Sequence, residues 1–149
     1  MISSQASRKP YTHAGSPAAL PLGMLQPSER RRFGIALELV AWDWLVVRRR
    51  EAGRNLTLLH HGFQIRAGEL DLVFEEGTTL VFAEVRARQG DRAWVSGLES
   101  VTFRKRQRLK RAAQVYLMSY RGRAREIRWD VIAFDGKKFT HIPDAWRDE

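Results

Sequence analysis

The sequence predicts an α/β domain, a mixed β-sheet flanked by helices with elements in the order α-β-β-β-α-β. Two stretches, 29–50 and 104–120, carry apolar residues at three- and four-residue spacing, the period of an amphipathic helix. Two β-rich runs, 69–74 and 79–87, are separated only by Glu75, Glu76, Gly77 and Thr78, which reads as a hairpin. A further strand-like run, 129–134, follows the second helix, so strands and helices interleave instead of segregating.

Residues 1–27 are rich in Ser, Pro, Ala and Gly and show no sustained period, so they read as a disordered or loosely attached tail. The domain is then 28–149. Ser28 is a suitable N-cap, with Glu29 in the first turn. Phe33, Leu37, Val40, Trp44 and Val47 form the apolar stripe of the first helix, and Gly53 and Asn55 end it. A short strand is expected at 56–59. In the hairpin, a two-residue turn at Glu76 and Gly77 pairs Glu75 with Thr78, which sets Asp71 opposite Phe82 and Glu69 opposite Glu84. Alternation then puts Glu69, Asp71, Glu84 and Arg86 on one face, and Leu70, Leu72, Val81, Ala83 and Val85 on an apolar core face. A loop holding Gly90, Asp91 and Gly97 leads to the second helix, with Leu109, Ala112, Ala113, Tyr116 and Leu117 inward. After the strand at 129–134, Asp135 and Gly136 turn the chain into a last short strand at 138–142.

Composition narrows the partners. With no cysteine, disulfides and thiolate metal sites are excluded, which fits a cytoplasmic location. No apolar run approaches the ~20 residues of a membrane helix, and the N-terminus reads poorly as a signal peptide. The net charge of +9 is concentrated: from Val101 to Arg128 there are ten Lys or Arg residues against one acid, Glu126, a net +9 in that window alone. A localised basic segment is the footprint of a polyanion partner, and nucleic acid is favoured over a merely solvated helix face. Arg104, Arg108 and Arg111 share one face of the second helix with Lys105 alongside, and Arg121, Arg123, Arg125 and Arg128 extend the patch.

The hairpin carries the candidate chemistry. Carboxylates set opposite one another repel, so the cluster needs a cation or raised pKa values. A hard divalent ion suits oxygen ligands and takes one or two carboxylates while keeping waters. Arg86 would project beside it, suited to a phosphate. On pattern alone the plainer reading is a hairpin edge with its charges facing solvent. His60 and His61 adjoin a strand and point to opposite faces, so they are not expected to share a metal. Trp42, Trp44 and Trp129 are expected to pack, whereas Trp94 sits in a loop where it can stack on a base.

Gly-Glu-Leu-Asp-Leu-Val at 68–73, followed by Val-Phe-Ala-Glu-Val-Arg-Ala-Arg at 81–88, resembles the signature of the bacterial YraN family. Gly34, Glu38 and Ala41 resemble its first helix; Val101, Lys105, Leu109, Ala112, Ala113, Tyr116 and Leu117 resemble its second; Trp129-Asp130-Val131 resembles its closing strand. The resemblance spans about 33–134 and implies a restriction-endonuclease-like fold similar to Holliday junction resolvases. It implies that Asp71 and Glu84 hold Mg²⁺ or Mn²⁺, with Glu69 a further metal-proximal acid and Glu38 an additional acid near the site. Arg86 stands where the family usually has lysine, and cannot act as a general base because guanidinium keeps its proton. Leu37, Gly62 and Gln64 also depart from the usual Gly, Asn and Arg. Arg88 matches the motif's arginine and joins Arg104, Lys105, Arg108 and Arg111 as the nucleic-acid-binding set. The function so implied is a metal-dependent nuclease acting on DNA, branched or single-stranded, with a homodimer as an expected form. The competing readings are a non-catalytic nucleic-acid-binding module of the same fold and an interaction protein whose basic face meets an acidic protein.

Overall fold

In the computed structural model, residues 25–88 and 93–147 are described. The order is α1 (Pro27–Glu51), β1 (Leu56–Ile65), β2 (Gly68–Glu76), β3 (Thr79–Ala87), α2 (Ala93–Glu99), α3 (Phe103–Ser119), β4 (Glu126–Phe134) and β5 (Phe139–Trp146). The five strands form one sheet in the order β1-β2-β3-β4-β5. All neighbours are antiparallel except β3 and β4, which run parallel from Thr79↔Glu126 to Ala87↔Phe134. A parallel pair needs a crossover, and α2 with α3 supplies it. This is an α/β fold with a mixed sheet flanked by helices, the restriction-endonuclease-like arrangement.

Both faces of the sheet are covered. Ala41 and Leu45 of α1 pack on Leu72, Phe74, Val81, Ala83 and Ile132. Leu109, Ala112 and Ala113 of α3 pack on Leu70, Val73, Leu80, Phe82, Trp129, Val131 and Trp146. The central strand β3 is therefore buried on both sides from Leu80 to Glu84, as parallel sheets require. Among the described residues, no helix is long and apolar enough to cross a membrane.

Several local expectations are corrected. The N-cap of α1 is Gln26, not Ser28: Pro27 occupies the first turn, where its missing N–H costs nothing, and Gln26 forms a capping box with Glu29. The buried stripe of α1 is Leu37, Ala41 and Leu45, while Phe33, Val40 and Val47 are exposed. The strand expected at 56–59 runs to Ile65, and the last strand extends to Trp146, whose ring stacks on Trp129 at 5.4 Å. Helix α2 replaces part of an expected loop.

The β2–β3 turn is shifted by one residue from the expected position. Glu76 pairs with Thr79, and Leu72 with Ala83. Gly77 takes the first central position at φ 60°, a conformation glycine adopts without strain. Neither face of the hairpin is a solvent face, and Leu70 and Leu72 lie in opposite cores, so alternation breaks at Asp71. The tail reading for 1–24, the loop residues Gly90 and Asp91, and the Trp94 side chain lie outside the described residues.

Candidate functional site

The break in β2 creates the site. The paired register of β2 with β3 ends at Leu72↔Ala83. Beyond it the Asp71 side chain substitutes for a ladder partner: Oδ2 accepts the Val85 backbone N–H at 2.9 Å. Across from Asp71 on β1, Gly62 sits at φ 65°. Glycine adopts this conformation without strain.

Asp71 and Glu84 are both buried, at 8% and 3% exposure, which removes the reading of solvent-facing edge charges. Burial pushes the Asp71 carboxyl well above its usual range, and the neighbouring Glu84 and Glu38 push it further. Two cations answer these acids. Lys105 Nζ lies 3.1 Å from Glu84 Oε1, and Arg86 Nη1 lies 3.3 Å from the same oxygen. Glu84 Oε2 is buried and has no hydrogen-bond partner. A bare buried carboxylate oxygen is costly, and such an atom calls for an explanation by an ion or a water.

Glu38 reaches the cluster from α1, with Oε2 at 2.7 Å from His61 Nε2. Burial raises its carboxyl, the His61 contact lowers it, and Glu69 and Glu84 raise it again. Glu69 is half-buried on β2, close to the backbone at Gly62. Arg86 is anchored: its Nε donates to Ser100 Oγ at 2.8 Å, and Ser100 donates to the Gly97 carbonyl at 2.6 Å. Arg88 is half-buried, and burial with the nearby Arg86 lowers its guanidinium pKa.

The structure thus brings together Asp71, Glu84, Glu38 and Arg86, with Glu69 on the periphery. Two residues join them that the sequence did not assign to the acidic cluster. Lys105, grouped by helical spacing with the surface arginines, turns inward, while Arg104, Arg108 and Arg111 remain exposed. The Thr102 side chain caps α3 by accepting the Lys105 N–H, which fixes the helix start against the site. His61 enters from β1, an element expected to end at 59; only a correct length for β1 would have signalled it. His60 does point away, packing on Phe63 and Tyr116.

Whether these residues suit a divalent ion is a question of donors. Among the described residues, no group of three or more His, Cys, Asp or Glu forms a ready cage for a metal. Mg²⁺ needs less: one or two carboxylates, with water filling its other positions. Asp71 and the bare oxygen of Glu84 meet that requirement.

The model of the uncharacterised protein family UPF0102 matches residues 37–134, the stretch from the packed half of α1 through β4. A UPF0102 protein of Stutzerimonas stutzeri is 47% identical over 107 residues, covering 71% of this chain and 83% of the relative. That of Serratia proteamaculans is 40% identical over 120 residues, covering 78% and 96%. That of Pseudomonas syringae is 36% identical over 123 residues, covering 82% and 94%. Asp71, Glu84, Arg86 and Lys105 all fall inside the matched region.

Proposed function

The chain belongs to the protein family UPF0102, the YraN family, and from that membership and the acidic site we propose that it is a divalent-metal-dependent nuclease hydrolysing phosphodiester bonds in DNA. The observation that supports this most directly is the buried, unpartnered Oε2 of Glu84 beside Asp71. The same reading takes the cytoplasm as the compartment, branched or single-stranded DNA as the substrate and a homodimer as the working form.

Asp71 and Glu84 are the residues that would hold Mg²⁺ or Mn²⁺. Such an ion, when bound, polarises a phosphoryl oxygen and lowers the pKa of a water. The chain's own groups do the rest. Asp71 is held in place through Oδ2 by the Val85 N–H. Arg86, braced by Ser100, presents a fixed guanidinium to charge developing on the phosphate, but accepts no proton. Glu38 and His61 form a pair at the edge of the cluster, placed to take up or relay a proton. The exposed Arg104, Arg108 and Arg111 grip the phosphate backbone along α3.

One observation favours a second reading, a DNA-binding module without efficient chemistry: Arg86 occupies the usual lysine position. A cleavage assay separates the two. Purified protein meets labelled single-stranded, duplex and four-way-junction DNA at low salt with Mg²⁺ or Mn²⁺, beside a Glu84→Gln control and a gel-shift lane in EDTA. Metal-dependent cutting lost in the control supports the nuclease. Shifted bands without cutting in either metal support the binding module, and the absence of both cutting and shifting removes both readings.

A further inference from the structure

Helix α3 places a lysine where a metal ion would have to compete with it. Lys105 Nζ is 3.1 Å from Glu84 Oε1, and it lowers the Asp71 carboxyl through space. Its side chain is 30% exposed, so it is only partly enclosed. Arg86 touches the same oxygen but is tied to Ser100, which is tied in turn to Gly97. Of the two cations, one is braced and the other sits on a flexible four-carbon stem with rotatable donors.

We propose that Lys105 is the resident counter-ion of the acidic site, a built-in cation that neutralises Glu84 until a divalent ion displaces it and that then turns its ammonium toward the substrate phosphate. This rests on the metal-dependent reading above and adds to it the source of the mobile positive charge that Arg86, being anchored, does not supply. The argument is electrostatic. Asp71, Glu84 and Glu38 place three carboxylates near one another, and a cluster of that kind without a cation is unfavourable. Lys105 relieves it through Oε1 while leaving Glu84 Oε2 buried and without a partner. The helix start delivers the lysine there: Thr102 caps α3 on the Lys105 N–H, and Val101 is buried just before it. Once displaced, an ammonium on α3 moves toward the same side as Arg104 and Arg108, where the backbone of a bound strand would lie.

A lysine that only braces the fold and one that competes for Glu84 differ in a measurable sign. Removing a competitor tightens metal binding, whereas removing a brace loosens it or leaves it unchanged. Mn²⁺ is titrated calorimetrically into metal-free wild type, Lys105→Met, Lys105→Gln and Lys105→Arg, with thermal melts confirming folding. The expected result is Mn²⁺ affinity at least about fivefold higher in the Met and Gln variants, and near wild type in the Arg variant, since one charge at this range in protein surroundings exceeds that factor. Adding Glu84→Gln to Lys105→Met abolishes the gain. In the cleavage assay the Met variant loses at least about tenfold in kcat despite binding metal better. Unchanged or weaker Mn²⁺ binding in both neutral variants overturns the inference, and so does a wild type that takes up no Mn²⁺. Tighter Mn²⁺ binding in a protein that cuts no DNA would leave the counter-ion standing and remove the nuclease reading, so the two failures are distinct.

Discussion

Asp71 and Val85 are joined by a hydrogen bond from backbone N–H to carboxylate at 2.9 Å, just past the point where β2 and β3 cease to pair. The strand gives up a ladder position to hold an acid in a buried place that disfavours it. Because burial and the nearby Glu84 raise the Asp71 pKa, the native state binds its proton more tightly than the unfolded chain does. The sign follows: this group's contribution to stability is greatest below the unfolded value of about 3.9 and is lost as pH rises through the native value. Asp71→Asn removes the charge and keeps an acceptor for Val85. We expect it to stabilise the metal-free protein at pH 7 by about 1 kcal/mol while abolishing metal-dependent cleavage. Chemical denaturation in EDTA beside the cleavage assay checks both halves, and a destabilised Asn variant would contradict the account of Asp71 as a strained acid.

The opposite arrangement links β2, β4 and β5, with Asp130 paired to Ala83 on the neighbouring strand. Glu76 accepts Arg49 at 2.6 Å and Arg128 at 2.9 Å; Asp130 accepts Arg128 through both oxygens at 2.8 Å and lies 2.8 Å from His141. Burial pushes both acids up, but the hydrogen bonds from their partners outweigh it and hold both below the usual range. The sign is therefore reversed. Their contribution is present above the unfolded values of about 4.3 and 3.9, and is lost as pH falls through the lower native values. Asp130→Asn leaves the half-buried Arg128 with Glu76 as its remaining carboxylate and removes a fully buried charge partner, so a loss of about 3 kcal/mol is expected. Urea midpoints from pH 3 to 7 check this: wild type should weaken steeply below pH 4, and the variant should be weaker throughout with a flatter acid limb.

Gly68 explains itself by proximity. A Cβ built there would lie 2.8 Å from the Arg108 carbonyl oxygen and 3.1 Å from its carbon, both backbone atoms of α3. Helix and strand touch main chain to main chain, and this contact sets the height of α3 over the sheet, and with it the reach of Lys105 to Glu84. Gly68→Ala must push α3 away at a cost of about 1–3 kcal/mol. The informative comparison is with Gly77→Ala, where nothing lies within 4 Å and the cost is the positive φ alone. Gly68→Ala should alter metal binding as well as stability, and Gly77→Ala stability only.

How much of this the sequence could reveal depends on the kind of physics involved. Period-based features were legible: the helix carrying Leu109, Ala112 and Ala113 and the hairpin around Gly77 both follow from spacing. The hairpin register was legible only to within one residue, because both Glu76-Gly77 and Gly77-Thr78 are chemically acceptable turns, and the choice depends on which position takes positive φ. The shifted register brings Asp71 beside Glu84, just past the last ladder pair, but the break in alternation at Asp71 was not legible. Tertiary choices were not legible. Of the expected stripe Leu37 is buried and Trp44 packs on the core, but Phe33, Val40 and Val47 are as apolar as Ala41 and Leu45, and only tertiary packing decides between them. Lys105 is indistinguishable by spacing from Arg104 and Arg108, and its inward turn depends on where α3 starts relative to β3. His61 was out of reach once β1 was cut short.

The exposed arginines of α3 test the partner directly. Arg104, Arg108 and Arg111 lie about one turn apart and are exposed, Arg108 at the flank over Gly68, on a helix pinned in the core by Leu109, Ala112 and Ala113. Replacing them perturbs no buried group, so Arg104→Glu, Arg108→Glu and Arg111→Glu together should leave the melting temperature within a few degrees of wild type. If each contacts a phosphate, every one neutralised contributes about −0.9 to the slope of log affinity against log salt for duplex DNA, and about −0.7 for single strands. The triple variant should therefore lose roughly two to three units of that slope. Affinity should fall uniformly across sequences, since backbone contacts carry no base information. Fluorescence anisotropy in EDTA from 25 to 300 mM salt measures this without any chemistry intervening. A slope unchanged in the variant would move the interface off α3, and a wild type with no salt dependence would remove nucleic acid as the partner altogether.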